Sequence, residues 1–142
     1  MSADILVAFP SEYKYLNLVD LVCNEIIDGM GFQHEAANEI AISVIEACTN
    51  ALEHGNKCCP EENVHVIFSM QPDRLVVEIQ DHGEGFDFKD YLKHIPDPTN
   101  IHKQRGRGIF IMKRMMDALI FEMLPDGGMK VKLEKMLSKN GN

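Results

Sequence analysis

The chain has 142 residues, 45% of them hydrophobic and 25% charged, and 14 basic against 22 acidic side chains leave a net charge of −8. That length suits one ordinary domain with its own core, expected to span 1–142. Such acidity argues against direct nucleic-acid binding, which needs a positive field, and favours a basic or neutral protein partner.

Ile5-Leu6-Val7-Ala8-Phe9 is a β-prone run ended by Pro10 and reads as a first strand. Ser11 is a good helix N-cap, with Glu12 in the first turn, where the dipole favours an anion. Leu16, Val19, Cys23, Ile26 and Met30 recur at helical spacing, which predicts a helix from about Glu12 to Asp28. Gly29 and Gly31 end it. A second helix is predicted from about His34 to His54, with Ala37, Ala41, Val44, Cys48 and Ala51 on one stripe. Its narrow polar strip is Glu39, Ser43, Glu46, Asn50 and Glu53 or His54. Taken alone, that strip reads as a solvated face.

After the polar loop 57–63, Val64–Met70 and Leu75–Gln80 read as a hairpin around Gln71-Pro72-Asp73-Arg74. From Asp81 to about Arg105 there is no clear period, apart from one helical turn expected near Tyr91-Leu92. A loop of that length in a compact domain suggests a functional lid. A third helix is predicted from Arg105-Gly106-Arg107-Gly108, with Ile109, Met112 and Met116 on its buried side. Ala118–Leu124 and an alternating strand from Met129 to Glu134 form a last hairpin around Pro125-Asp126-Gly127-Gly128. The order predicts an α+β two-layer sandwich, with a mixed, mostly antiparallel sheet of about five strands and about three helices on one face.

No apolar run could span a bilayer, and Met1-Ser2-Ala3-Asp4 lacks the features of a signal peptide, so a cytoplasmic protein without a membrane partner is expected. The four cysteines contain no Cys-x-x-Cys unit. Cys23 and Cys48 fall in helical patterns as small apolar residues, Cys58-Cys59 falls in a loop, and reduced thiols are expected.

Three features carry chemistry. Glu46 and Asn50 lie one helical turn apart on one face. A carboxamide there can ligate a hydrated Mg²⁺, and a carboxylate can take a proton from a nucleophile. Asp81-x-Gly83-x-Gly85 at a strand end pairs an acceptor for an exocyclic amine with glycines that let backbone approach a flat ring. Gly106-x-Gly108 at a helix start offers free N–H groups to phosphate, with Arg105 and Arg107 beside them. Each alone is weak, since Asp-x-Gly-x-Gly is often a mere turn and no Walker motif is present. Their joint order around a lid-like loop is more telling.

That order resembles the GHKL (Bergerat-fold) ATPase and kinase superfamily. Glu46-x-x-x-Asn50 with Ala51, His54 and Gly55 resembles its N-box. Asp81-x-Gly83-x-Gly85-Phe86 resembles its first glycine box, and Arg105-Gly106-Arg107-Gly108-Ile109 with Ile111-Met112 its second. The short chain is most similar to the anti-sigma factor serine kinases of the RsbW/SpoIIAB group.

The resemblance implies ATP and Mg²⁺ as ligands, Glu46 as catalytic base and Asn50 as the Mg²⁺ ligand. Asp81 would hold the adenine amino group in a pocket shaped by Gly83, Gly85 and Phe86. His54, Arg105, Gly106, Arg107, Gly108 and Ile109 would complete the nucleotide site. The implied partners are a STAS-domain anti-anti-sigma factor, as serine substrate, and a sigma factor, with a homodimer as a further assembly. One departure concerns the last strand, which the group often opens with Gly-Thr, whereas Gly128 is followed here by Met129. The lid also has no serine- or threonine-rich phosphate contact apart from Thr99. The alternative is a non-catalytic nucleotide- or partner-binding regulatory module of the same fold.

Overall fold

The computed structural model describes residues 2–83 and 104–138, the side chains of 104–107 excepted. Among the described residues, five strands and three α-helices follow in the order β1 (Ala3–Pro10), α1 (Leu16–Met30), α2 (His34–Asn50), β2 (Asn63–Met70), β3 (Arg74–Gln80), α3 (Gln104–Met115), β4 (Ala118–Met123) and β5 (Met129–Met136). The sheet order is β1-β2-β3-β5-β4, and every pairing is antiparallel rather than mixed. The β4–β5 hairpin folds back so that β5, not β4, meets β3, with Ile79 opposite Val131. The expected α+β sandwich is therefore present. The helical turn expected near Tyr91-Leu92 lies outside the described residues.

Strand alternation sets the core. Val64, Val66 and Phe68 of β2, Leu75, Val77 and Ile79 of β3, and Val131 and Leu133 of β5 are all buried. Odd and even side chains of a strand point to opposite faces, so these residues line one side of the sheet. Ile40, Val44, Ala47 and Cys48 of α2 and Val19, Cys23 and Ile27 of α1 close the core from the helix side. Burying one such side chain contributes roughly 1.5–3 kcal/mol. Burial pushes the Cys23 thiol up to about 12 and the neighbouring Cys48 thiol up further still, so both stay protonated. All four cysteines are free.

Two local readings change. Ser11 does not cap a helix. It is buried, and its hydroxyl donates to the Glu62 carbonyl at 2.6 Å, which ties the end of β1 to the loop before β2. The chain enters α1 instead through a short 3₁₀ turn at Tyr13–Tyr15, without a side-chain cap. Nor is the polar strip of α2 uniformly solvated. Ser43 is fully buried, and Glu39 accepts from Lys135 Nζ at 3.1 Å.

Lys135 lies on the inner side of β5, opposite Leu75, and also donates to the Met115 carbonyl at the end of α3. It thereby joins α2, α3 and the sheet. Lys135→Ala is expected to cost about 1–3 kcal/mol in urea unfolding, below the range for fully buried pairs because Glu39 is partly solvated. Glu39→Gln should cost less, since Lys135 keeps its bond to the Met115 carbonyl.

The C-terminus of α1 offers an opposite test. Gly31 adopts φ 84°, and its N–H reaches the Asp28 and Ile27 carbonyls. Gly29 sits inside the helix, and a Cβ added there meets nothing within 4 Å. Gly29→Ala should stabilise the protein by about 0.5–1 kcal/mol in the same assay, whereas Gly31→Ala should destabilise it.

Candidate functional site

The site is built where α2 ends. Beyond Asn50 the helix widens into one turn, Ala51–Gly55, in which the Asn56 N–H reaches the Ala51 carbonyl at 2.8 Å. Such i→i+5 turns often accompany functional positions. Lys57 and Cys58 follow with φ of 52° and 56°, left-handed values uncommon outside glycine. The reversal leaves Asn56 buried, and its side chain holds three segments together. Nδ2 donates to Ser11 Oγ at 3.0 Å and to the Asn63 carbonyl at 3.1 Å, and Oδ1 accepts the His82 N–H at 2.7 Å.

Asp81, 6% exposed, leaves the end of β3 inside a frame of glycines. Its Oδ1 accepts the N–H of Gly83 at 2.9 Å and of Met129 at 3.3 Å. Its own N–H donates to the Met129 carbonyl at 3.0 Å. A Cβ on Gly55 would run into the Asp81 side chain, one on Gly83 into the Gly55 backbone, and one on Gly128 into the Asp81 carbonyl. Gly128 also has φ 96°, which a residue with a Cβ rarely adopts. Gly55 thus packs on the carboxylate itself, Gly83 on Gly55 and Gly128 on the Asp81 carbonyl, each as closely as only glycine allows.

Glu46 and Asn50 are half-buried and face α3. A Cβ on Gly108 would lie 2.8 Å from Glu46 Oε2 and 3.4 Å from Asn50 Nδ2, so a bare Cα lets α2 and α3 meet at this pair. Gly108 is the fifth residue of α3, which begins at Gln104. Its N–H therefore belongs to the helix ladder, whereas Gly106 lies in the first described turn, where a helix leaves N–H groups without an intrahelical acceptor. Ile109 is buried behind them. Arg105 and Arg107 lie in that first turn. Gly85, Phe86 and Thr99 lie outside the described residues.

Two cavities share Asn50 in their walls. One, of only about 20 Å³, is lined by Asn50, Ala51, Asp81, Ile109, Phe121 and Met129, among others. The second, about 350 Å³, is lined by Glu46, Thr49, Asn50, Glu53, His54, Gly108 and Ile111. The first has room for about one water as it stands, and its lining, an apolar floor with a carboxylate at one end, has the chemistry that a flat base with an amino edge needs. The second is polar and opens beside the start of α3, which suits phosphates. Glu46, Asn50, His54, Asp81, Gly108 and Ile109 thus gather along one cleft.

The donor set also bears on a metal. Among the described residues no three His, Cys, Asp or Glu side chains form a cage. A lone carboxamide beside a phosphate-sized space fits Mg²⁺, which keeps most of its waters and commonly rests on one or two protein ligands plus substrate phosphates.

Sequence reasoning missed Asn56, Gly128 and the backbone of Met129. Asparagine directly after glycine at a helix end is a turn signal, but nothing local names a partner 26 residues away. Met129 shows what the departure from Gly-Thr leaves in place. Met129 lines the cavity, and its main chain clasps Asp81 whatever side chain it bears.

Residues 9–135 match the family described as the histidine kinase-like ATPase domain. The chain is 29% identical over 135 residues to the serine-protein kinase RsbW of Bacillus licheniformis, covering 92% of this chain and 83% of that protein. It is 30% identical over 137 residues to RsbW of Bacillus pumilus strain SAFR-032, again covering 92% and 83%. Among solved structures, the RsbU and RsbW domains of a Mycobacterium tuberculosis protein align with TM-score 0.67 and 14% identity, over 94% of this chain and 32% of that one. SiaB in the SiaB–SiaC complex of Pseudomonas aeruginosa aligns with TM-score 0.64 and 15% identity, over 93% and 89%.

Proposed function

Because this chain belongs to the histidine kinase-like ATPase domain family, we propose that it binds ATP in the cleft along α2 and transfers the terminal phosphoryl group to a serine of a small STAS-domain anti-anti-sigma factor. In the same reading it sequesters a sigma factor, and phosphorylation of the antagonist governs which partner is held. The observation that carries this reading is the position of Asn50, shared by the cavity that ends at Asp81 and the cavity that contains Glu46. The RsbW relatives are named serine-protein kinases, and the SiaB structure holds a protein partner.

Each residue then has a task. Asp81, oriented by two backbone N–H groups, accepts from the adenine amino group. The apolar floor of Ile79, Val131 and Met129 excludes water from the ring. The first-turn amides of α3, with Arg105 and Arg107, meet the phosphates, where helix dipole and cationic side chains both favour negative charge. Asn50 would hold Mg²⁺, which would supply positive charge beside the phosphates as negative charge develops there. Glu46 takes the proton of the serine hydroxyl as its oxygen bonds to phosphorus and the bond to the bridging oxygen of ADP breaks. Positioning and electrostatics carry most of the acceleration in such transfers.

The test is transfer of label from γ-labelled ATP to the cognate STAS-domain protein, with label recovered on serine. Transfer to no cognate antagonist, with Mg-ATP binding intact, would remove the enzyme and leave the binding module. One observation favours that second reading: the thioether of Met129 cannot donate a hydrogen bond to the base, so recognition of the purine edge falls to Asp81. Calorimetry with Mg-ATP separates a nucleotide-binding module from one that binds protein alone.

A further inference from the structure

The segment 31–33 alone joins α1 to α2, so the two helices lie side by side and antiparallel. On their solvent side they leave a groove of about 450 Å³. Its walls include Leu16 and Asp20 of α1 and Ala41, Ile42, Ile45 and Glu46 of α2. Ile42 is 44% exposed within it. Leu21, 65% exposed, lies one helical turn beyond the lining residue Asn17 and prolongs the apolar surface along α1.

Glu46 lines this groove and also the polar cavity of the nucleotide cleft. It stands on the ridge between the two, with Ile42 one turn before it on the groove side. A serine hydroxyl seated at Glu46, opposite phosphates held in the cleft, therefore has the groove as its adjoining surface. One turn of α2 advances about 6 Å, and an extended peptide covers about 3.3 Å per residue. A side chain about two positions from that serine thus falls over Ile42.

The charges in the walls restrict what can lie there. Asp20 and Glu46 are both acidic, and Asp20 has no ion-pair partner among the described residues. A Lys or Arg brought over the apolar floor would find its complement at Asp20. A second copy of this chain is a poor occupant, because its net charge of −8 meets like charge in the groove.

We infer that the groove docks the segment of the substrate protein that carries the phosphoacceptor serine. An apolar residue about two positions from the serine rests on Ile42 and Ile45, and a Lys or Arg on the same side of the serine meets Asp20. The apolar anchor supplies affinity, and the charge pair fixes register and steers the encounter. This assignment rests on the phosphotransfer reading above and adds to it the local sequence that the protein selects.

Steady-state transfer from γ-labelled ATP to the cognate STAS-domain protein, beside calorimetry with Mg-ATP, tests it. Ile42→Glu should raise KM for the protein substrate at least about tenfold, and Ile42→Ala should raise it less. Retained Mg-ATP affinity shows that each variant is folded with its cleft intact. Asp20→Lys should also raise KM, and changing a Lys or Arg near the serine of the substrate to Glu should restore it. Ile120→Glu, exposed on β4, should change neither quantity. Unchanged KM in the Ile42 and Asp20 variants, or an Asp20→Lys defect that no such substrate change restores, would overturn the groove assignment and leave phosphotransfer standing. Unchanged KM with altered sedimentation would give the groove to a second copy instead. Absence of transfer by the unaltered protein would remove the phosphotransfer reading and this assignment with it.

Discussion

Glu46→Gln is expected to lower phosphoryl transfer by about 10²–10⁴-fold, the usual contribution of a positioned general base. Mg-ATP affinity should change less than about threefold. The amide is nearly isosteric with the carboxylate, so the approach of α2 to Gly108 survives. What is lost is an oxygen able to take the serine proton. Single-turnover transfer, measured beside calorimetric binding, separates the two quantities. Equal losses in both would make Glu46 a structural or binding residue, and unchanged transfer would remove it from the chemistry. Asn50→Ala should act differently, weakening binding as well as transfer, because Asn50 borders both cavities.

Gly83→Ala should abolish measurable nucleotide binding, a loss of at least tenfold, and destabilise the fold by about 1–3 kcal/mol, as overpacking does. The added methyl would sit 2.8 Å from the Gly55 Cα and closer still to the Gly55 carbonyl. Backbone cannot rotate aside as a side chain can, so the two segments must part. The N–H of Gly83 would then leave Asp81 Oδ1, now 2.9 Å away, and the carboxylate would lose one of the two donors that aim it. Urea unfolding and Mg-ATP calorimetry report the two effects. Gly29→Ala is the matched control, the same change of residue with the opposite expected sign. Undiminished binding in Gly83→Ala would remove Asp81 from the role of base reader.

Most of the architecture was legible in the sequence because apolar spacing and turn chemistry are local signals. The β2–β3 hairpin, α2 and the β4–β5 hairpin follow from them with boundaries shifted by one to four residues. Two antiparallel pairs, β2–β3 and β4–β5, could also be anticipated from short connections. The pairing of β5 with β3 is a long-range choice that no local pattern encodes. Ser11 failed as a cap for a related reason. A hydroxyl before a helix satisfies an N–H in the usual case, but here a loop 51 residues away offers a carbonyl that burial makes the better partner. The polar strip of α2 illustrates the converse. Periodicity marks Glu39, Ser43, Glu46 and Asn50 as one face, yet each meets a different environment: a lysine, the core, α3 and a cleft. At the site, residue types were readable and the glycine frame was not. Gly55 and Gly128 read as a helix stop and a turn, and only the fold brings both onto Asp81.

Asp81 is enclosed by parts of the chain that leave the ribosome at different times. Gly55, Asn56 and Gly83 emerge first, at a pace of about 5–20 residues per second. Gly128 and Met129 follow, yet Gly128 packs on the Asp81 carbonyl and Met129 supplies one of the two donors to its carboxylate. The strands β1 to β3 with α1 and α2 can assemble earlier around their own apolar contacts. In the proposed reading, competence to hold a base therefore arrives only when β5 slots beside β3. A nascent chain stalled before that point carries β1 to β3 with an unfinished reader, and ligand capture would mark the docking of β5.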